Sequence, residues 1–296
     1  MQIYLPVMKK NEIETNWNDR LNVGIIGLGL MGASFALALK QIFKNYLITG
    51  WDIKPDNAQK ALELNIVDSI SDNMKDIFSL DLIILAVPVK GIVNIISQIS
   101  DIAPTSTIID LGSTKKPIIR AVPPEYRLNF IAAHPMAGTE KSGPEAALPD
   151  LYKNKVMVVC NIEESGEKQK EFAEYIFKKM QMNIVYMDAE EHDKHAAVIS
   201  HLPHAISFSI ANSIMKQENP ESITALAGGG FRDVSRIAKT PPDMWIDIFS
   251  QNKDNILNSI ALFKKELEQC EEMIKNDDLT ELKNWINRAN TLHHIL

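Results

Sequence analysis

The chain has 296 residues, of which 45% are hydrophobic and 23% charged, and its formal net charge is -7. This composition is typical of a folded protein with a sizeable core, arranged as one large domain or two ordinary ones. The acidic balance argues against nucleic acid or an anionic membrane as the main partner, because both favour a basic surface. Two distant cysteines, Cys160 and Cys270, indicate neither a disulfide framework nor a metal cluster.

A glycine-rich turn stands near the N-terminus in the stretch LNVGIIGLGLMGASFALALKQ, between a short apolar run and a helix-forming segment. Gly27 permits the turn, Gly29 lets the backbone approach a pyrophosphate, and Gly32 lets the helix pack against the strand. Free N–H groups at the start of the helix favour phosphate. The predicted cofactor contacts in this turn are Gly27, Leu28, Gly29, Leu30, Met31 and Gly32.

An acidic residue follows the second apolar run, residues 47–51, at the distance expected of a ribose-binding carboxylate. Asp52 would accept hydrogen bonds from the ribose hydroxyls of NAD and repel the 2′-phosphate of NADP, although Lys54 weakens that preference. We therefore predict NAD as the cofactor. A third apolar run ends in a segment expected to border the same site, namely Ala86, Val87 and Pro88.

The two halves of the chain differ in periodicity. From residue 22 to about 187, β-rich runs alternate with amphipathic segments, with strands predicted at 80–88, 106–112, 129–135, 155–159 and 183–187 and a helix at 167–180. After Asp188, apolar-periodic segments such as 245–274 predict helices, and Pro203 should kink or break the helix at 192–215. The predicted fold is α/β, a Rossmann-type doubly wound dinucleotide-binding domain followed by an all-α C-terminal domain. Its predicted segments are a tail (1–20), the dinucleotide-binding domain (21–188) and a helical domain for substrate binding and dimerisation (189–296).

Several polar residues follow predicted strands or lie in the helical half. They are Ser113 in DLGSTK, His134 in HPMAG, His201 and His204 in SHLPHA, and Asp233 and Arg236 in GGGFRDVSR. Taken singly, each fits a helix cap, a packed histidine or a solvated helix face. An i, i+3 histidine pair also suits a metal, but no cysteine or carboxylate cluster completes such a site, and we predict none. Beside a nicotinamide site, the set offers a base, a hydrogen-bond partner and a cation for a carboxylate, as alcohol oxidation requires.

The segments GLGLMGAS, DLGSTK, HPMAGTEKSG, SHLPHA and GGGFRDVSRIAKTPPDMW resemble the successive signatures of the prephenate dehydrogenase family, which includes the arogenate dehydrogenases. The resemblance runs from about Val23 to the helices beyond Trp245. It implies an NAD-dependent oxidoreductase of tyrosine biosynthesis that converts prephenate to 4-hydroxyphenylpyruvate by oxidative decarboxylation. Arogenate, which would give tyrosine directly, stays open as the alternative substrate.

The resemblance also implies roles for individual residues. His134 would accept the proton of the 4-hydroxyl, with an apparent pKa near the ordinary value of about 6.5, displaced by whatever the pocket adds. Ser113 would hydrogen-bond that hydroxyl and border the cofactor. Arg236 would bind a substrate carboxylate, and His204 would contact the substrate side chain. The other implied substrate contacts are Gly138, Thr139, His201, which supports His204, and Trp245, which closes the site from its own or a neighbouring subunit. Acidic positions implied to pair with the arginine and gate the pocket are Glu140, Asp193 and Asp233.

Two further functional classes stay open on the sequence. A β-hydroxyacid or imine-type dehydrogenase shares the glycine turn and the helical second half, and Lys194 would then handle the proton. A dinucleotide-binding regulator without catalysis would tolerate the loss of the base or of the substrate arginine, and neither is missing. We expect a cytoplasmic protein, because residues 1–20 lack the apolar segment of a signal peptide and no apolar run is long enough to span a bilayer. We also expect a homodimer built on the helical half, because segments such as 245–274 carry more apolar surface than one small domain can cover.

Overall fold

The computed structural model describes residues 20–295, so nearly all of the predicted tail, residues 1–20, lies outside the described residues. One mostly parallel sheet occupies the N-terminal half. Its strands are β1 (Asn22–Ile26), β2 (Leu47–Trp51), β3 (Ser69–Ile70), β4 (Leu82–Leu85), β5 (Thr107–Asp110), β6 (Phe130–Pro135), β7 (Val156–Cys160) and β8 (Asn183–Met187). The spatial order is β3-β2-β1-β4-β5-β6-β7-β8, and only the β6–β7 pair is antiparallel. Each predicted strand is present, although β4 is shorter than the predicted 80–88 and β5 ends at Asp110 rather than at 112, because the chain turns there towards the next helix. The two-residue strand β3 was not predicted.

Both faces of the sheet are covered, as expected of strands that are apolar throughout. The helices of this half are α1 (Leu30–Ile42), α2 (Pro55–Glu63), α3 (Val89–Ile96), α4 (Lys116–Ala121) and α5 (Glu167–Lys179). Alternate strand residues point to opposite faces: Ile84 joins the hydrophobic cluster under α1, α2 and α5, whereas its neighbour Ile83 joins the cluster under α3 and α4. The sheet and its helices confirm the doubly wound, Rossmann-type prediction.

The C-terminal half is helical, as predicted. Its helices are α6 (Ala189–Ala196), α7 (Leu202–Met215), α8 (Pro220–Thr224), α9 (Gly229–Arg236), α10 (Pro242–Gln251), α11 (Lys253–Lys275) and α12 (Leu279–Asn290). Short 3₁₀ turns lie at Met74–Ser79, Pro124–Asn129, Pro144–Ala146, Ile162–Glu164, Ile237–Lys239 and Thr291–His294. Strands give way to helices between Met187 and Ala189, and the domain boundary at 188 stays a prediction.

Two interruptions shape the helical half. A π-helical turn, Ala197–His201, separates α6 from α7 just before Pro203, which has no N–H to continue the regular ladder. The break expected near this proline is confirmed. The segment 245–274 is not one continuous helix, because it divides at Asn252, whose side chain donates to the backbone carbonyl of Asp193, 2.6 Å away.

Three further observations concern the described residues as a set. Between residues 20 and 295, no helix is long and apolar enough to cross a membrane. No group of three or more His, Cys, Asp or Glu side chains in that range is arranged to hold a metal ion. Cys160 is buried and Cys270 half-buried, and both thiols are free.

Candidate active site

The glycine turn has the geometry of a dinucleotide loop. Gly27 has φ +96°, and a Cβ there would lie 2.5 Å from the carbonyl oxygen of Ala86, so a larger residue would be strained and would clash. A Cβ on Gly32 would lie 1.9 Å from the carbonyl oxygen of Gly27, which explains the close packing of α1. Gly29 instead borders open space, with no heavy atom within 4 Å of the Cβ position. The turn therefore leaves room for a phosphate at the N-terminus of α1.

The remaining residues of the turn face inwards. Leu28 and Leu30 are buried in the core, and the carbonyl oxygen of Met31 accepts a 2.6 Å hydrogen bond from the Tyr152 hydroxyl. A cofactor would therefore meet the backbone of Leu28 and Leu30 rather than their side chains.

Asp52 lies directly after β2 and connects two loops. Its Oδ2 accepts the backbone N–H of Leu28 at 2.7 Å, and its Oδ1 accepts the backbone N–H of Lys54 at 2.8 Å. The carboxylate is thus fixed beside the glycine turn, and an ionised carboxylate has further lone pairs for ribose hydroxyls. This placement agrees with the position that the sequence predicts for a ribose-binding acid.

The segment after β4 lies where the two halves of the chain meet. Ala86 and Val87 are half-buried against Gly27, and Pro88 precedes α3. The backbone N–H of Lys90, in the first turn of α3, donates to Oδ2 of Asp247 on α10 at 3.0 Å. The helical half therefore caps a helix that starts beside the glycine turn.

The predicted base and its hydroxyl partner lie at the carboxyl ends of two neighbouring strands. Asp110 in β5 is paired with Ala132 in the parallel strand β6. Ser113 follows β5 by three residues, and His134 is the second residue after Ala132. Both side chains are half-buried, so the carboxyl ends of two neighbouring strands present a hydroxyl and an imidazole to the same region.

The ring of His134 ends a buried hydrogen-bonded chain. Its Nδ1 lies 2.8 Å from Nε2 of His192, and Nδ1 of His192 lies 2.8 Å from Oδ1 of Asp193. Asp193 also accepts the backbone N–H groups of Lys115 at 2.7 Å and Lys116 at 3.0 Å. Since a carboxylate only accepts, neutral His192 donates from Nδ1 and accepts from the Nδ1–H of His134, which leaves Nε2 of His134 free to take a proton.

The surroundings of His134 favour the neutral ring. Burial lowers the pKa of His134 well below its ordinary value of 6.5, and His192, Lys115 and His201 lower the pKa further by their proximity. A neutral imidazole is the form that can act as a base. The displacement of this pKa from the ordinary value is therefore downward, because desolvation and the neighbouring groups act in the same direction.

The two histidines beside Pro203 have different surroundings. His204 donates from Nδ1 to the carbonyl oxygen of Ser200 at 2.9 Å and stacks on Trp245, with ring centroids 3.7 Å apart. Burial lowers the pKa of His204, and Arg236 adds to that effect. His201 is only 1% exposed and accepts a 3.2 Å hydrogen bond from the Asn252 amide, and burial lowers its pKa to about 4. His201 is thus a packed residue, which suits the supporting role beside His204, and its part in substrate binding stays a prediction.

The gate residues, Trp245 and Arg236 differ in their surroundings from what the sequence predicts. Asp193 is not a gate that pairs with an arginine, because it is 2% exposed and bonded to His192 and two backbone N–H groups. Trp245 is buried in its own chain, against His204 and Phe249, rather than presented to a neighbouring subunit. Arg236 is exposed and, within residues 20–295, its guanidinium contacts neither Glu140 nor Asp233, which are exposed as well.

The loop after β6 is open to solvent. Gly138 has φ +156° and open space around its Cβ position, and Thr139 accepts the backbone N–H of Lys141 at 3.2 Å. Glu140 follows in the same exposed loop. These residues lie after His134 in the chain, and their contact with substrate stays a prediction.

Sequence reasoning missed the residues behind the base. They are Asp110, Lys115, His192 and Asn252, all buried within the site. A signal existed for His192, since a histidine beside an acid in EEHDKH precedes the predicted substrate histidines on the same helical segment. Lys115 and Asp110 carried no such signal, because charged residues at or after the end of a strand are usually exposed.

The glycine turn, the carboxylate after β2 and the histidine at the end of β6 define a dehydrogenase with a nucleotide-binding sheet and a separate helical half. Residues 35–186 match the family model described as prephenate dehydrogenase, nucleotide-binding domain. Residues 188–288 match the model described as prephenate dehydrogenase, dimerization domain. The chain belongs to the prephenate dehydrogenase family.

Individual relatives agree with the family models. A prephenate dehydrogenase of Bacillus subtilis is 32% identical over 273 residues, which cover 90% of this chain and 73% of the relative. A cyclohexadienyl dehydrogenase of Zymomonas mobilis is 28% identical over 262 residues, 87% of this chain and 89% of the relative. The crystal structure of prephenate dehydrogenase from A. aeolicus, in complex with hydroxyphenyl propionate and NAD+, is similar with a TM-score of 0.85 at 32% identity, and the match covers 93% of this chain and 98% of that one.

Proposed function

We propose that this protein catalyses the NAD-dependent oxidative decarboxylation of prephenate to 4-hydroxyphenylpyruvate in tyrosine biosynthesis. The observation that carries the proposal is the Nε2 acceptor atom of a neutral His134, whose ring is held by His192 and Asp193. This ring lies at the carboxyl ends of the strands, the same side of the sheet as the glycine turn. Membership of the family supports it, as does the A. aeolicus relative, which binds NAD+ and a hydroxyphenyl acid.

The residues of the nucleotide loop fit NAD. The open space beside Gly29 would receive the pyrophosphate, and Asp52 would bind the ribose hydroxyls. The backbone of residues 27–32 and of Ala86, Val87 and Pro88 would line the remainder of the cofactor. When bound, NAD accepts the hydride from the carbinol carbon of the substrate.

The protein's own residues would manage the proton and the carboxylates. His134 takes the hydroxyl proton on Nε2 as the hydride leaves, and Ser113 hydrogen-bonds the same oxygen to orient it. The positive charge that develops on His134 is stabilised through His192 by the Asp193 carboxylate, as in other His–acid pairs. Loss of the ring carboxylate as carbon dioxide makes the ring aromatic, so the step is strongly downhill and needs no metal.

Substrate binding would fall to the helical half. Arg236 is exposed beside His204, and its planar guanidinium suits a carboxylate. Because Nδ1 of His204 donates to Ser200, Nε2 is the acceptor nitrogen of the neutral ring, and the stack on Trp245 fixes the ring plane. We propose that these two groups hold the side chain of the substrate, with Gly138, Thr139 and Glu140 in the loop above it.

The test is a comparison of kcat/KM for prephenate and arogenate, each with NAD and with NADP, followed by absorbance of the reduced nicotinamide. We expect turnover of prephenate with NAD. Higher kcat/KM for arogenate would keep the reaction class and change the substrate to the amino acid. No reduction of either cofactor with either substrate would contradict the proposed function and favour a dinucleotide-binding regulator.

We further propose a homodimer formed through the helical half. A dimerization-domain model matches residues 188–288, and large apolar side chains on α11 and α12 are exposed, namely Leu257, Leu262, Leu267, Ile274, Leu279 and Ile286. Exposed apolar surface of this kind is typical of an interface. Light scattering at micromolar concentration should give twice the chain mass of 33.2 kDa. A monomer at that concentration would contradict the dimer.

A further inference from the structure

Lys115 is a fully buried cation that the proposed chemistry does not use. Its side chain is 0% exposed, and its ammonium donates to the Asp110 carboxylate and to the backbone carbonyl of Ala133. Burying an ion pair is costly, and a charged lysine is almost never found fully buried unless it is paired. An apolar residue would fill this position more easily, so the ammonium calls for an explanation beyond packing.

The two partners of the ammonium lie on neighbouring strands. Asp110 is the last residue of β5, and Ala133 is the residue of β6 immediately before His134. Ser113 lies two residues before Lys115 on the same short segment. The side chain of Lys115 therefore links the strand that leads to the hydroxyl partner with the strand that carries the base.

The backbone of Lys115 contacts the other end of the same network. Its N–H donates to Oδ1 of Asp193 at 2.7 Å, the atom that also lies 2.8 Å from Nδ1 of His192. One residue thus contacts the strand below His134 through its side chain and the acid behind His192 through its backbone. A shift of Lys115 would move both supports of the imidazole.

The charge of Lys115 also faces the base. The titratable groups packed around His134 come from three elements: His192 on α6, His201 on the π-helical turn, and Lys115 on the segment between β5 and α4. Lys115 is the only lysine or arginine in this set, and its ammonium is paired with Asp110. A positive charge so close disfavours a second positive charge on the ring.

We propose that Lys115 is a positioning residue, which fixes the separation of Ser113 and His134 and holds its ammonium, paired with Asp110, near the imidazole. This inference rests on the proposed function for its kinetic consequences. Its electrostatic consequence, a lowered pKa of His134, is independent of the identity of the substrate.

The test replaces the ammonium by an uncharged side chain of similar length. Lys115→Met is studied alone and with Asp110→Asn, since the double variant leaves no unpaired buried carboxylate. In both, kcat should fall about 100-fold with KM for substrate and for NAD little changed, because the base and its partner lose their fixed separation. The acid limb of kcat/KM should move to higher pH, because the ring loses a cationic neighbour.

Arg127→Met is a matched control. Arg127 is also a partly buried cation that donates to a carbonyl of β6, that of Phe130, and pairs with Glu164, but it lies at the opposite end of the strand. The control should lose stability while the acid limb of kcat/KM stays in place. NMR titration of the His134 ring, assigned by comparison with His134→Asn, gives a readout that needs no turnover.

The outcomes separate the two proposals. An inactive unmodified protein whose His134 pKa still rises in the double variant contradicts the proposed function and supports the electrostatic role of Lys115. A double variant that folds with an unmoved His134 pKa and near-normal kcat overturns the inference. If the double variant fails to fold while Arg127→Met folds, then Lys115 is needed only for folding, and this result also overturns the inference.

Discussion

The two halves of this chain differ in how completely they cover their own apolar residues. In the sheet half, β4 and β5 are buried along their whole length, and each face has its own hydrophobic cluster. In the helical half, α12 contains no buried residue, and α11 buries only Ile256 and Ser259. The sheet half therefore covers most of its apolar residues itself, whereas α11 and α12 leave many of theirs exposed, which supports the proposed interface on the helical half.

The same comparison applies to the chemistry. The sheet half provides the glycine turn, Asp52 and the proposed base His134, all fixed by hydrogen bonds to buried groups. The helical half provides Arg236 and His204, which are more accessible, together with His192 and Asp193 behind the base. Changes in the sheet half should therefore act on kcat or on the cofactor, and changes at the exposed end of the helical half should act on substrate binding.

The largest effect on activity is expected from a change of His134, the proposed catalytic base in the sheet half. His134→Asn keeps a hydrogen-bonding group but cannot accept the proton, so kcat should fall roughly 100-fold to 10,000-fold with KM little changed. Steady-state kinetics with NAD and prephenate measure both constants. Near-normal kcat would make His134 a packing residue, and His204 would be the next candidate for the base.

A change in the helical half should weaken substrate binding without weakening cofactor binding. Arg236→Ala should raise KM for prephenate by the equivalent of roughly 2 to 5 kcal/mol, because a charged contact to a carboxylate is lost, and should leave NAD affinity almost unchanged. Arg232→Ala is the matched control, since that arginine lies one turn earlier on α9 and donates to the carbonyl of Ala227. Weaker NAD binding, or equal effects of the two variants, would place Arg236 outside the substrate site.

The smallest of the three effects is expected from Asp52, the residue proposed to bind the ribose of NAD. Asp52→Ala should narrow the preference for NAD over NADP by roughly 1.5 to 3 kcal/mol, because a charge-assisted hydrogen bond and the repulsion of a 2′-phosphate are both lost. The ratio of kcat/KM for the two cofactors is the measurement, with exposed Asp56→Ala as the control. Equal use of NAD and NADP by the unmodified protein would contradict the assignment.

The sequence predicted those features that depend on local pattern. β2 has the predicted bounds, because an apolar run between turns suffices to define a buried strand. The glycine turn was predictable because each of Gly27 and Gly32 meets a steric demand that only glycine satisfies. The position of Asp52 followed from its spacing to that turn.

The network behind the base was not predictable, because it joins residues far apart in the chain. His134 and His192 are 58 positions apart, and Lys115 and Asp193 are 78 positions apart. Only the folded sheet and the packing of α6 against it bring them together. The expectation that Asp193 pairs with an arginine failed for the same reason. Its position in the sequence gives no sign that it accepts two backbone N–H groups and contacts a histidine.

The measurement that tests the central claim most directly is the pH dependence of kcat/KM for prephenate, which reports the groups of the free enzyme. Burial and cationic neighbours lower the pKa of His134, so the neutral, active ring persists as the pH falls and is lost only below the ordinary value of 6.5. We predict a constant kcat/KM from neutral pH down past 6.5, an acid limb below that value, and no such limb in the residual activity of His134→Asn. An acid limb at or above 6.5, or the same limb in His134→Asn, would contradict a neutral, buried His134 as the base.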